Sequence, residues 1–248
     1  MKLAATILIT AIGCLSIIQS AHALAQKEIF DGNSQLKQSR PKKQSNGSQS
    51  VKVNKAAKTY YKVAKSKAKL EQYQEALVAY DKAIEIDPNY SDAYYGRGEV
   101  KQYGFKDKDG AFADYNTAIQ LNPNYAEAYT SRGDLKGKTD INGALSDYST
   151  AIRLKPNYAG AYASRGSLKI LQLGDNQGGL EDLNKMIELD PSDGHYLLRS
   201  IYKQRLGDNY GAIADLRQIA RMYEQKGNTK GYLEMQKMIK GIEERISQ

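Results

Sequence analysis

The sequence predicts an all-α solenoid: five copies of one two-helix unit, closed by a further helix. Three observations predict it. Pro88, Pro123, Pro156 and Pro191 are spaced by 35, 33 and 35 residues, and one segment recurs around the first three, Asp87-Pro88-Asn89-Tyr90, Asn122-Pro123-Asn124-Tyr125 and Lys155-Pro156-Asn157-Tyr158. Upstream of each proline, small and apolar residues fall three or four apart, as in Ala111, Tyr115, Ala118 and Ile119; that is the period of a helix packed on one face. Downstream, Tyr60, Tyr94, Tyr129, Tyr162 and Tyr196 mark a second helix at spacings of 34, 35, 33 and 34. A fixed period of this length is the signature of stacked supersecondary units.

The elements follow in order. Residues 1–25 read as a secretory signal peptide. Lys2 supplies a basic head, Leu3 to Ile18 carries no charge, and Ala21, Ala23 and Ala25 offer small-residue cleavage sites, with cleavage expected after Ala25. An uncleaved anchor is the alternative, but the apolar run falls short of the roughly 20 residues that span a bilayer comfortably. The expected location is therefore the periplasm or an equivalent lumen, or the exterior of the cell. Residues 26–50 are rich in Gln, Ser, Asn, Gly and Lys and read as a flexible basic linker, with too little apolar surface to offset chain entropy. Residues 51–224 hold the five units, at about 57–90, 91–125, 126–158, 159–192 and 193–224. Residues 225–248 hold the capping helix, amphipathic over 229–246.

Composition excludes several chemistries. The one cysteine, Cys14, belongs to the signal, and its removal would leave His195 as the one histidine. No thiol nucleophile, disulfide or cysteine zinc site is then possible. No phosphate-binding glycine loop and no G-x-S-x-G occur, and His195, beside Gly194 at a helix start, is expected at the surface. The sequence thus predicts no enzyme activity, no catalytic residue, no metal and no cofactor. The net charge of +8 is unevenly placed: residues 32–70 carry 11 basic groups and no acidic one, while residues 71–248 balance 23 basic against 26 acidic.

These units resemble the tetratricopeptide repeat. The matching features are an aromatic early in the first helix (helix A), then glycine at Gly98, Gly133 and Gly166, then alanine at Ala76, Ala111, Ala144 and Ala212, an aromatic and a proline in the second (helix B). The fourth unit departs with Gly179 and Leu183, and the fifth with Ser200 and no closing proline. The resemblance implies antiparallel helix pairs in a right-handed superhelix, with helix A lining a concave groove that binds peptides or helices of other proteins.

Matched positions suggest an internal pairing. Arg97, Arg132, Arg165 and Arg199 recur in helix A, and Asp114, Asp147, Asp182 and Asp215 in helix B. The first unit has Val63 and Ala79 instead, so both partners are missing together. A row of arginines could hold an anionic ligand, but an ion pair within each unit explains the joint loss better. The separations of 17, 15, 17 and 16 residues are expected to reflect the length of the A–B turn.

Helical phase assigns the groove residues. They are Lys58, Lys62, Lys65 and Lys69 in the first unit, Tyr95, Glu99 and Tyr103 in the second, Thr130, Asp134 and Lys138 in the third, Ile170 in the fourth, and Leu197 and Ile201 in the fifth. The lysines could equally form a solvated face, and the apolar end could pack on the last helix. The family's carboxylate clamp needs asparagines that the helix-A segments 55–70, 91–103, 126–139 and 159–173 lack. The expected function is a non-enzymatic protein-binding scaffold outside the cytoplasm, its partner carrying an acidic segment. Two alternatives remain: the basic segment as a tether to an anionic membrane surface, and an assembly factor for a membrane complex. Nucleic acid is not expected, and oligomeric state is left open.

Overall fold

A computed structural model describes residues 54–247; the expected signal peptide and basic linker lie outside the described residues. Helices α1 (Lys55–Lys69) and α2 (Tyr73–Ile86) form the first antiparallel pair, α3 (Ser91–Glu99) and α4 (Lys108–Leu121) the second, and α5 (Ala126–Lys136) and α6 (Ile141–Leu154) the third. Then follow α7 (Ala159–Leu168) with α8 (Asn176–Leu189), α9 (Asp193–Arg205) with α10 (Asn209–Gln225), and α11 (Thr229–Ile246). Contacts divide this chain into two compact units at Asn157/Tyr158. The N-terminal unit holds α1–α6 and the C-terminal unit α7–α11. The fold class is all-α, each unit a stack of helix pairs.

Local chemistry sets the ends of these helices. Asp107, Asp140, Asp175 and Asp208 cap α4, α6, α8 and α10, each accepting from the backbone N–H of the glycine three residues on, at 2.8–2.9 Å. A side chain on those glycines would run into the capping carboxylate, so Asp-x-x-Gly works as one device. Proline stops α2, α4 and α6, and Asp87 and Asn122 fold the turns by accepting from Asn89 and Asn124 at 3.1 Å each.

Close helix approach forms the core. Ala76, Ala111, Ala144 and Ala212 have no exposed surface. A Cβ on Gly98 or Gly133 would stand 2.7 Å from the ring of Tyr115 or Tyr148, so glycine in helix A makes room for the helix-B aromatic. In the C-terminal unit one cluster joins Leu183, Met186 and Ile187 to Leu198 and Tyr202. Another joins Leu216 and Ile219 to Met235, Ile239 and Ile242 of α11.

The two 17-residue separations are absorbed inside helix A rather than in the A–B turn. The two pairs with 17-residue Arg–Asp separations end helix A in a single π turn, Val100–Gly104 and Lys169–Leu173. The extra residue widens one helical turn there. In the fourth pair it swings Ile170 against α8, where a Cβ on residue 179 would collide with Ile170 and lie 2.8 Å from the Gly166 carbonyl oxygen. Gly179 replaces the usual alanine for that reason.

Candidate functional site: the helix-A face of the N-terminal unit

The arginines come first, because they decide what is free to bind. Arg97 and Arg132 each make two parallel bonds to the aspartate of the same pair, Nε–H at 3.0 and 2.9 Å and Nη2–H at 2.6 Å in both. Arg165 and Arg199 repeat the geometry on Asp182 and Asp215. Each guanidinium also lies over the tyrosine one turn before it, Tyr94, Tyr129, Tyr162 and Tyr196, at 5.3–5.7 Å from the ring centroid. A third hydrogen bond runs back to the preceding helix B, from Arg97 to Asp81, Arg132 to Asn116 and Arg199 to Asn184. These arginines are struts within and between pairs, engaged on every side.

Sequence reasoning missed half of this arrangement. A lysine four residues after each arginine meets the same aspartate: Lys101, Lys136, Lys169 and Lys203, at 2.8–3.2 Å. The aspartate is almost fully buried and is shared by two cations. The periodic lysine was legible in the sequence. In the first pair its counterpart, Lys67, turns to Glu75 at 2.6 Å, since Ala79 stands where the aspartate would be. Without a strut, Tyr60, Val63 and Val78 stay exposed around an open apolar hollow of about 320 Å³.

The expected binding residues divide into three groups. Lys58, Lys62 and Lys69 are exposed along α1, with Lys65 half-buried in the same row. Among the described residues, neither Lys58 nor Lys62 has an ion-pair partner. Tyr95, Glu99 and Asp134 are partly buried, and Tyr103 and Lys138 are exposed. Three expectations need correction. Thr130 is 5% exposed, its hydroxyl donating to the Ala126 carbonyl oxygen, and Ile170 is 6% exposed inside the core beside Leu183. His195 is buried, at 2% exposure, with Nδ1 2.8 Å from the Asp190 carbonyl oxygen. In the C-terminal unit Leu197 packs against the α10–α11 cluster, and Ile201 is half-buried.

In the N-terminal unit, α1, α3 and α5 turn one face toward each other, and tyrosines hold it together. Tyr95 stacks at 4.9 Å on Tyr125 and 5.7 Å on Tyr115, and Tyr61 lies 5.1 Å from Tyr90. The Tyr95 hydroxyl donates to Glu99 at 3.0 Å and stands 3.5 Å from Ser131 Oγ. The Tyr148 hydroxyl donates to Asp134 at 2.8 Å, and Lys155 meets Glu127 at 2.7 Å.

Two carboxyls on this face are strained by burial. Burial pushes Glu99 up to about 7, aided by the charge of Glu127 and opposed by the Tyr95 hydrogen bond and the Lys65 ammonium. Asp92 is raised for the same first reason and opposed by the Tyr125 hydroxyl and by Lys65. Lys65 is half-buried, while Lys58 and Lys62 face solvent.

The family profile described as TPR repeat matches residues 64–102 and 107–140. Those residues are tetratricopeptide repeats. No curated protein matches this repeat chain. Among solved structures, it is similar to a thermophilic TPR protein of Thermus thermophilus, at 20% identity and a TM-score of 0.61 over 75% of this chain and 98% of that one. It is similar to pilF of Pseudomonas aeruginosa at 16% identity and a TM-score of 0.58, over 75% and 91%. MamA of Desulfovibrio magneticus RS-1 aligns at 20% identity and a TM-score of 0.55, over 70% and 98%. Identities this low carry the fold and nothing finer. Among the described residues no helix is long and apolar enough to cross a membrane, and no group of three metal-ligating side chains occurs.

Proposed function

We propose that this protein is a non-catalytic interaction scaffold acting outside the cytoplasm, and that the helix-A face of its N-terminal unit docks an acidic segment of a partner protein. One observation carries the reading. Each later repeat locks a helix-A arginine and lysine onto one aspartate, whereas Lys58 and Lys62 stand exposed and unpaired on α1, the helix that carries Tyr61 against Tyr90. Two ammonium groups on flexible stems, one turn apart, suit carboxylates on an extended or helical ligand. The adjoining rings supply rigid apolar contact. The uncharged run Leu3–Ile18 and the small residues after it support export.

Site-specific photocrosslinking tests the location of the face. A photoreactive residue at Lys62 should give one discrete crosslinked product in envelope extracts. The same residue at Gln120, exposed on α4, should not. Equal products from both positions, or none from Lys62, would dismiss the reading.

A further inference from the structure

The first helix pair keeps the ring that every later pair uses as a platform, and lacks the strut that covers it. Tyr94, Tyr129, Tyr162 and Tyr196 each carry a guanidinium at 5.3–5.7 Å from the ring centroid. Tyr60, the first of that series, has no cation over its ring among the described residues and is 41% exposed. Val63 and Ala79 stand where the arginine and aspartate would be. With Tyr60, Lys67, Glu75 and Val78 they line the open hollow between α1 and α2. We propose that this hollow is an arginine socket: it takes an arginine side chain of a partner protein, the guanidinium over Tyr60 and against Glu75. The socket is separate from the docking face above, because helical phase puts Tyr60 and Lys67 about half a turn round α1 from Lys58 and Lys62.

The lining suits arginine on three counts. A carboxylate is present: Glu75 meets Lys67 through Oε2 at 2.6 Å, its Oε1 has no partner among the described residues, and its side chain is 54% exposed. Sharing with a lysine is no obstacle, since Asp114, Asp147, Asp182 and Asp215 each hold an arginine together with the lysine four residues after it. The walls are apolar: Val63 and Val78 are exposed beside Tyr60, and the methylene stem of an arginine covers such surface while its planar, weakly hydrated head stacks on a ring. The rim is already neutral, because the remaining cation that lines the hollow, Lys82, meets Glu85 at 2.6 Å.

Other side chains match only part of this lining. A lysine ammonium has no plane to lay on Tyr60 and is more strongly hydrated. A leucine covers the walls and leaves Glu75 Oε1 without a donor. The four later pairs show the favoured arrangement within the same chain: a guanidinium on a tyrosine, beside a carboxylate that a lysine also holds.

NMR of the full chain during addition of Nα-acetyl-arginine amide tests this, with the corresponding lysine and leucine amides as comparators. Saturable shifts should centre on Tyr60, Val63, Glu75 and Val78, and the arginine amide should bind about threefold or more tighter than either comparator. Glu75→Gln should weaken its binding about two- to fivefold. Val63→Arg combined with Ala79→Asp writes the strut of the later pairs into the first, and should keep the fold and abolish the shifts; Glu75→Gln decides the matter if that chain does not fold. A leucine amide that binds as tightly as the arginine amide would make the hollow a plain apolar anchor and overturn the socket, and an equally tight lysine amide would reduce it to charge attraction and overturn it too. No saturable shift at the hollow, or arginine binding undiminished in Glu75→Gln or in the folded strut variant, would overturn it as well.

Discussion

Asp147 is the residue on which the third helix pair turns. It is buried, and it holds both Arg132 and Lys136, at 2.6 and 3.0 Å. Removing one cation leaves the other in place, whereas removing the carboxylate leaves two cations facing each other across a half-buried crossing. Arg132→Ala should therefore cost about 1–2 kcal/mol and Asp147→Ala about 2–4 kcal/mol. The double variant should lose less than the sum of the two. Urea unfolding of the four proteins checks the order, and an Arg132→Ala loss larger than that of Asp147→Ala would contradict the shared-aspartate account. The arginine and aspartate were legible in the sequence because four copies sample one environment, and the first copy loses both at once. His195 was not legible. The fourth turn, Asp190-Pro191-Ser192-Asp193, has no close parallel in the other copies, and nothing in the sequence showed the imidazole folding back onto the Asp190 carbonyl oxygen.

At the scale of the helix, the π turns explain where phase reasoning failed. Reading side-chain direction from a period of about 3.6 assumes an unbroken helix. Past Lys169 the π turn rotates that frame, so Ile170, assigned to the binding face, lies instead against Gly179. Upstream of the π turns, Lys58 and Lys62 are exposed and Tyr95 is partly buried. Thr130 has the correct phase and is nevertheless buried, because phase gives a direction and not what packs over it. The π account makes a prediction that a repeat alignment would reverse. Gly179→Ala installs the residue found in the other four copies, and alanine is the better helix former by roughly 1 kcal/mol. Here its methyl group meets Ile170 and the Gly166 carbonyl oxygen. The change should destabilise by about 1–3 kcal/mol. Combining it with Ile170→Ala should recover part of the clash, measured as a positive coupling in thermal unfolding. A Gly179→Ala chain more stable than wild type would show that the π turn does not press Ile170 onto α8.

Across the whole molecule, the fold was the most legible feature, since a period of about 34 residues is repeated five times and each copy corrects the reading of the next. The proposed binding face was legible in part. Its lysines stand out because they interrupt the repeat, but the tyrosine packing that half-buries Glu99 comes from helices far apart in sequence, and no periodicity reveals it. Each repeat from the second to the fifth pairs a helix-A arginine and lysine with its own aspartate, and the proposed function is assigned to the positions that break this pattern. Backbone amide shifts of the full chain, recorded by NMR during addition of octaglutamate at mildly acid pH, test that claim most directly. The account predicts that the largest changes map to Lys58, Lys62 and Lys65 on α1 and to Asp92, Tyr95 and Glu99 on α3, with the strut arginines unaffected. Changes confined to the basic residues before Asn54, centred on the hollow at Val63 and Val78, or spread evenly over Arg97, Arg132, Arg165 and Arg199 would contradict it.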